Sequence, residues 1–327
     1  MQDFLGQVGT LYLYENDLKR SYYYRKGASA VSAFDEAEIP VLSAGIEACR
    51  EQKEDDFVVT MGESRFRGHR MPTSHGPLCI LRIIGTSGQG LAEIGITGAL
   101  KSILMHPRLN NGGLVVICGQ PGEGKTTTAT SMLVDRANLF GGQTITLEDP
   151  AEVDIDLETG PGRIVQRDLS GDRCFADAIR DSLRAYPAGT TTTMLIGEVR
   201  DPETALLALS SAADGRLIVL TMHAQCPIAC IRRLLALASG AGNKDLAREL
   251  LASGIRVLWH QSLKFKKDGT RELSVNALED TSAVVGAIKL MAQSDSLEQL
   301  ATEMRQQQHK RDVKAPLDYR KNALDRA

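Results

Sequence analysis

Leu114-Val115-Val116-Ile117-Cys118-Gly119-Gln120-Pro121-Gly122-Glu123-Gly124-Lys125-Thr126 joins an apolar run to a loop of the form G-x4-G-K-[ST]. The run predicts a buried strand, and the stretch from Thr127 to Asn138 that follows the loop is compatible with a helix. A glycine-rich loop between a strand and a helix is the context that gives this motif its meaning. Glycines let backbone N–H groups turn inward around phosphates where a side chain would clash. The following helix adds the partial positive charge of its N-terminus. Gly119, Gln120, Pro121, Gly122, Glu123, Gly124, Lys125, Thr126 and Thr127 are therefore the candidate nucleotide-binding residues, with ATP and Mg²⁺ as the expected cofactors. Lys125 is placed to reach the β- and γ-phosphates, and the Thr126 hydroxyl is a candidate Mg²⁺ ligand. A chance match is on the order of one per cent from composition.

Outward from the loop, strands alternate with helices, the signature of a parallel sheet. Further buried strands are expected at Thr144–Leu147, Thr193–Ile196 and Leu217–Thr221. Glu148 follows the first of these, and Glu198 stands just past the second. In an open parallel sheet the carboxyl ends of the strands line the ligand crevice. Phosphoryl transfer needs one group on the metal shell and one orienting the attacking water, and two carboxylates at strand ends suit that pair of tasks. Either one alone reads as a solvated loop acid.

Upstream, Leu11–Tyr14, Phe57–Thr60 and Leu78–Ile84 read as strands, and Ile39 opens a helix running towards Gln52. The expected organisation is an N-terminal α+β domain over residues 1–84, a glycine-rich linker over 85–90, a P-loop core over 91–281 and a C-terminal helical segment over 282–327. In the tail Leu297, Leu300, Ala301 and Met304 repeat at helical spacing, and the polar residues after Gln306 are expected to form a solvated end.

The chain has 327 residues, 43% of them apolar and 24% charged, which suits a soluble globular protein of two domains. A net charge of −3 argues against a dedicated nucleic-acid binder. No apolar run reaches the ~18 residues needed to span a membrane. Met1-Gln2-Asp3-Phe4 lacks the layout of a signal peptide, so the expected location is the cytoplasm. Six cysteines at scattered positions do not form a disulfide framework and are expected to be buried thiols, including Cys226 and Cys230, which share helical spacing.

Several further blocks resemble the ATPases that drive type II secretion, type IV pili and type IV secretion. Thr146-Leu147-Glu148-Asp149-Pro150-Ala151-Glu152 resembles their aspartate box. Leu195-Ile196-Gly197-Glu198-Val199-Arg200-Asp201-Pro202-Glu203-Thr204-Ala205 resembles their Walker B signature, with G-E where most P-loop enzymes use D-E. Val219-Leu220-Thr221-Met222-His223-Ala224 resembles their histidine box. Arg67 to Gly76, followed by Leu81-Arg82, resembles the R-x-S-x-x-P-T-x-x-G segment and its second arginine, and Ala178 to Arg184 resembles a further arginine pair. The blocks keep the family's order over roughly residues 57 to 263.

The resemblance implies a PAS-like N-terminal domain, a RecA-like core and a homohexameric ring. It implies Glu148 and Glu198 as the essential carboxylates; Glu148 is assigned to water activation and Glu198, with Thr126, to the Mg²⁺ shell. Arg67 and Arg82 are expected to act on the phosphates and His223 to sense the γ-phosphate, although a lone histidine near an apolar strand more often only packs. His69, His75, His106, His260 and His309 are read as packing or surface residues.

The sequence also departs from the family. Gln-Pro-Gly-Glu-Gly-Lys-Thr stands where relatives more often have Pro-Thr-Gly-Ser-Gly-Lys-Ser, so Glu123 brings a negative charge beside the phosphates and its side chain must point outward. Asp214-Gly215-Arg216 stands where relatives often have Thr-Gly-His.

The expected function is a motor ATPase for a type IV secretion, conjugation or type IV pilus machine. It would act in the cytoplasm at an inner-membrane platform held by partner proteins, with no direct nucleic-acid binding. The short N-terminal part disfavours the larger type II and pilus-assembly enzymes. The alternative is a RecA-like DNA-translocating ATPase, which DNA-stimulated hydrolysis would reveal. A nucleotide-gated assembly module and a small-molecule P-loop kinase fit less well.

Overall fold

The computed structural model describes residues 2–25, 30–86, 89–155, 160–169, 174–265, 271–291 and 296–313. The chain divides into two compact units. One is Met1–Ser87 with Pro150–Asp154 and Ser170–Arg173, and the other is the remainder.

The first unit opens with helix α1 (Gln2–Gln7) and holds a six-stranded sheet built from β1 (Val8–Tyr14), β2 (Tyr22–Arg25), β3 (Val31–Ala33), β4 (Asp56–Met61), β5 (Ser64–Thr73) and β6 (Gly76–Ile83). Neighbouring strands are antiparallel in the order β3-β2-β1-β6-β5-β4. Period-two alternation sends Leu11, Leu13, Tyr23, Phe66 and Leu81 into one face, where they pack with Val41, Leu42, Ile46 and Cys49 of helix α2 (Ile39–Arg50). The alternate residues face the other way. There Tyr12 stacks on Tyr22 with ring centroids 4.7 Å apart. Arg67 and Arg82 stand directly opposite each other on β5 and β6.

Strand β7 (Gly85–Thr86) pairs in parallel with Val153–Asp154, here β10, and Arg65 meets Asp154 at 2.9 Å. Part of the glycine-rich stretch expected as a linker is thus hydrogen-bonded strand. Ser87 and Gly88 of that stretch lie outside the described residues.

The second unit is built on a seven-stranded sheet: β8 (Gly113–Gly119), β9 (Gly142–Glu148), β11 (Gly162–Asp168), β12 (Thr192–Ile196), β13 (Leu217–His223), β14 (Ile255–Phe265) and β15 (Arg271–Glu279). The order is β11-β9-β12-β13-β8-β14-β15, parallel throughout except for the β14–β15 hairpin. This is the α/β class expected from the alternating pattern. Its helices are α3 (Gly98–Leu104), α4 (Lys125–Phe140), α5 (Phe175–Ser182), α6 (Pro202–Ala213), α7 (Pro227–Gly240), α8 (Lys244–Gly254), α9 (Ser282–Lys289) and α10 (Ser296–Val313). Leu114, Val116, Leu147, Ile196 and Leu220 from the strands share one core with Ala205, Leu209, Ile231 and Leu251 from α6, α7 and α8.

Two expectations are corrected. In the polar stretch after Gln306, of which residues 314–327 lie outside the described residues, His309 and Lys310 are exposed as expected, but Gln307 and Arg311 are not. Gln307 is buried; its amide oxygen accepts from Glu279 N at 2.7 Å and its amide nitrogen donates to Glu279 O at 3.0 Å. Arg311 donates to Ala277 O at 2.7 Å. Strand β15 is the sheet edge, and these side chains cap backbone groups that an edge leaves unpaired. Nor are all the cysteines buried: Cys49, Cys79, Cys118 and Cys230 are, but Cys174 and Cys226 are exposed, each just ahead of a helix. Cys226 and Cys230 share helical spacing, yet Cys226 stands at the N-cap, outside the packed face of α7.

Candidate functional site

Four elements of the second unit deliver the candidate residues. The loop leaves β8, and Lys125 is the first residue of α4. Gly124 takes the left-handed conformation at φ 75°, which lets the chain turn into the helix without a strained side chain. Lys125 is buried. Its ammonium donates to Gln120 O at 2.9 Å and stands 3.1 Å from His223 Nδ1. The cation is therefore held across the loop by the loop's own carbonyl. Thr126 is half-buried and Thr127 exposed.

Glu148 ends β9 and is 2% exposed. It accepts from Gln166 Nε2 at 3.1 Å, and Gln166 accepts from Ile155 N at 2.8 Å. Glu198 lies just past β12, the neighbour of β9, with Ile196 opposite Leu147. Gly197 N donates to Leu147 O at 2.8 Å, and a Cβ on Gly197 would come within 3.2 Å of that oxygen and 3.4 Å of Glu148 Cα and Cγ. The glycine of the G-E pair thus lets the two acidic segments approach. Thr221 on β13 donates its hydroxyl to Gly197 O.

Glu198 pairs with Arg200 at 2.6 Å. That hydrogen bond holds its carboxyl below the usual carboxylate range; burial opposes the shift, while Arg200, His223 and Arg233 reinforce it electrostatically. A carboxylate kept ionised suits a cation shell.

His223 ends β13 opposite Gly119. Burial first, then the Lys125 cation, hold its imidazole below the usual histidine range; Glu198 pulls the other way. An imidazole that stays neutral when folded but takes a proton near pH ~6.5 when unfolded costs stability as the pH falls. The unfolded chain then binds more protons, so stability is full above about 6.5 and declines below it until the folded imidazole itself titrates. His106 and His260 are depressed too, chiefly by burial. His223→Gln should remove one of three such contributions. Urea midpoints at about pH 7.5 and about pH 5.5 should therefore differ less in the variant than in the parent chain. An equal drop in both would show that His223 is not held neutral.

The loop, Glu148, Glu198 and His223 thus meet at the carboxyl ends of β8, β9, β12 and β13. Arg67 and Arg82 belong to the first unit. There they line a cavity of about 310 Å³ with Asp56, His69 and Ile80, and His69 pairs with Asp56 at 2.9 Å. Of the further arginine pair, Arg180 bonds Asp177 at 2.9 Å and also Glu203.

The sequence gives no sign of Gln166 as a site residue, nor of Gln261, whose amide donates to the loop carbonyl of Glu123. Gln166 reaches Glu148 because β11 pairs with β9, and nothing in the local pattern announces that. Arg200 could have been noticed two residues beyond Glu198.

Among the described residues no group of three or more His, Cys, Asp or Glu side chains is arranged to hold a metal by itself. A Mg²⁺ bound by one hydroxyl, one carboxylate and nucleotide phosphates needs no such cage. Thr126 and Glu198 fit that mode, and the self-bonded Lys125 fits an anion at the loop.

The type II/IV secretion system protein family matches residues 52–270. YggR of Escherichia coli (strain K12), described as an uncharacterized protein, is 31% identical over 237 residues, 72% of this chain and 69% of its own length. The type IV pilus retraction ATPase PilT of Pseudomonas aeruginosa is 30% identical over 238 residues, 72% of this chain and 66% of its own. Among solved structures, the pilus retraction motor PilT with bound ADP superposes with a TM-score of 0.75 at 22% identity, covering 93% of this chain and 88% of that one. That likeness, at the level of fold, agrees with a RecA-like core. The chain belongs to the type II/IV secretion system protein family.

Proposed function

We propose that the chain is a Mg²⁺-dependent ATP hydrolase that works as a homohexameric motor for a type IV secretion, conjugation or type IV pilus machine. One observation carries the reading: a phosphate loop, two carboxylates and a histidine held against the loop lysine come together at one end of a parallel sheet. Family membership and the PilT relative, named as a pilus retraction ATPase, point the same way. Bound Mg²⁺ would neutralise charge on the phosphates. Lys125 and the loop N–H groups hold the phosphates, Thr126 and Glu198 complete the cation shell, Glu148 orients the attacking water, and His223 senses the γ-phosphate. Among the described residues no helix is long and apolar enough to cross a membrane. We place the chain in the cytoplasm, held at the inner membrane by machine components.

Arg67 and Arg82 are assigned to the phosphates as well. Two cations directly opposite on neighbouring strands repel each other, and a bound anion would relieve that repulsion. Arginine's fixed charge and planar fork suit a phosphoryl group gaining negative charge. Phosphate release by the purified chain tests the activity, and Arg82→Ala tests this role: kcat should fall at least about tenfold, less than the strongest arginine fingers because several cations share the load. Unchanged kcat at saturating ATP would remove Arg82 from the reaction. Activity restored by mixing Arg82→Ala with Lys125→Ala protein would show that the arginine serves a neighbouring chain.

A further inference from the structure

The phosphate loop is gripped from the side by a strand 138 residues away. Strand β14 runs parallel to β8, with Trp259 opposite Ile117 and His260 opposite Cys118. Where β8 opens into the loop, β14 continues beside it, and a Cβ on Gly119 would lie 2.4 Å from Gln261 O.

Gln261 is buried and uses both ends of its amide. Its oxygen accepts from the buried Trp259 indole N–H at 2.9 Å, which sets the orientation of the amide. Its nitrogen donates to the Glu123 carbonyl at 2.5 Å. The Glu123 carboxylate turns to the same strand and accepts from the Leu263 backbone N–H. Both acceptors of one loop residue thus point at β14.

The consequence follows from peptide geometry. In a trans peptide the C=O and N–H point in opposite directions. Directing the Glu123 carbonyl at Gln261 therefore turns the Gly124 N–H away from β14. Loops of this kind bind anions through such N–H groups. The carboxylate also meets a proton donor on the strand, which answers how an acidic residue is accommodated in the loop.

We propose that Glu123 is a positioning residue: its carboxylate, pinned to Leu263 N–H, keeps its own carbonyl on Gln261 and so presets the loop for phosphate. The proposal rests on the nucleotide reading above. Serine, which relatives more often carry here, is too short to make the same bond from this position.

Charge alone and bonding alone predict different orders of affinity. Removing a negative charge beside phosphates should tighten binding, whereas removing the brace should weaken it. Fluorescent ADP is titrated into the full-length chain, Glu123→Ala and Glu123→Gln. The alanine variant should bind about tenfold more weakly than the parent, the scale of one hydrogen bond to a charged group. The glutamine variant, whose amide oxygen accepts the same N–H, should recover that loss. Tighter binding by both variants, or equal weakening in both, overturns the proposal. Hydrogen exchange of the residue 119–126 amides without nucleotide gives an independent readout. Exchange should speed up in Glu123→Ala and be restored in Glu123→Gln, and no difference between the three proteins overturns the brace. If the parent chain binds no ADP while the exchange pattern holds, the nucleotide reading fails and the brace stands.

Discussion

Replacing Lys125 with alanine is expected to abolish ATP hydrolysis, with phosphate release at least about a thousandfold below the parent rate. The lysine is the first residue of α4, is buried, and reaches back across the loop to Gln120 O. Among the described residues Lys125 is the one cationic side chain in the loop itself, so alanine would leave the loop only its backbone N–H groups for the phosphates. Near-parental phosphate release would remove the loop from the reaction altogether. The fold should survive, because hydrogen bonds such as those to Gln120 O and His223 contribute only about 1 kcal/mol each net. A circular-dichroism melt run beside the assay separates loss of chemistry from loss of structure.

Glu148→Gln and Glu198→Gln are each expected to lower kcat by about a hundredfold or more while leaving nucleotide binding measurable. Glu148 is enclosed at the end of β9 with Gln166 donating to it. Glutamine keeps that shape but loses the base that would orient and deprotonate water, so turnover should stay low however much Mg²⁺ is supplied. Glu198 is more open and is kept ionised by Arg200. Its glutamine variant should need more Mg²⁺ and regain part of its rate when Mg²⁺ is raised. The reverse pattern would exchange the two roles, and normal hydrolysis by either variant would remove that residue from catalysis.

The core of the candidate site is legible in the sequence because its signals are local. Leu114 to Thr126 carries strand, turn and helix start in one stretch, and glycine needs no partner to declare a turn. Glu148 and Glu198 were legible because each follows an apolar run. Strand β11 was not, because Arg163, Gln166, Arg167 and Asp168 give an edge strand the look of a loop. Gln307 has the look of a solvated residue for a similar reason: its polarity is satisfied by the backbone of β15 rather than by water. Glu123 stands out in the loop by its charge, but the strand that receives its carboxylate is invisible from its position.

By itself the sequence determined the kind of elements, the loop chemistry and which strands end in acids, since periodicity and turn residues act over a few positions. Only the tertiary structure decided who stands beside whom. Strand order β9-β12-β13-β8-β14 sets Glu148 beside Glu198, His223 against Lys125 and Gln261 under Glu123. Sheet partners are joined by backbone hydrogen bonds that are the same for nearly every residue type. An apolar run therefore announces a buried strand without naming its neighbours, and those are settled by how the helices and strands of each unit pack into its core.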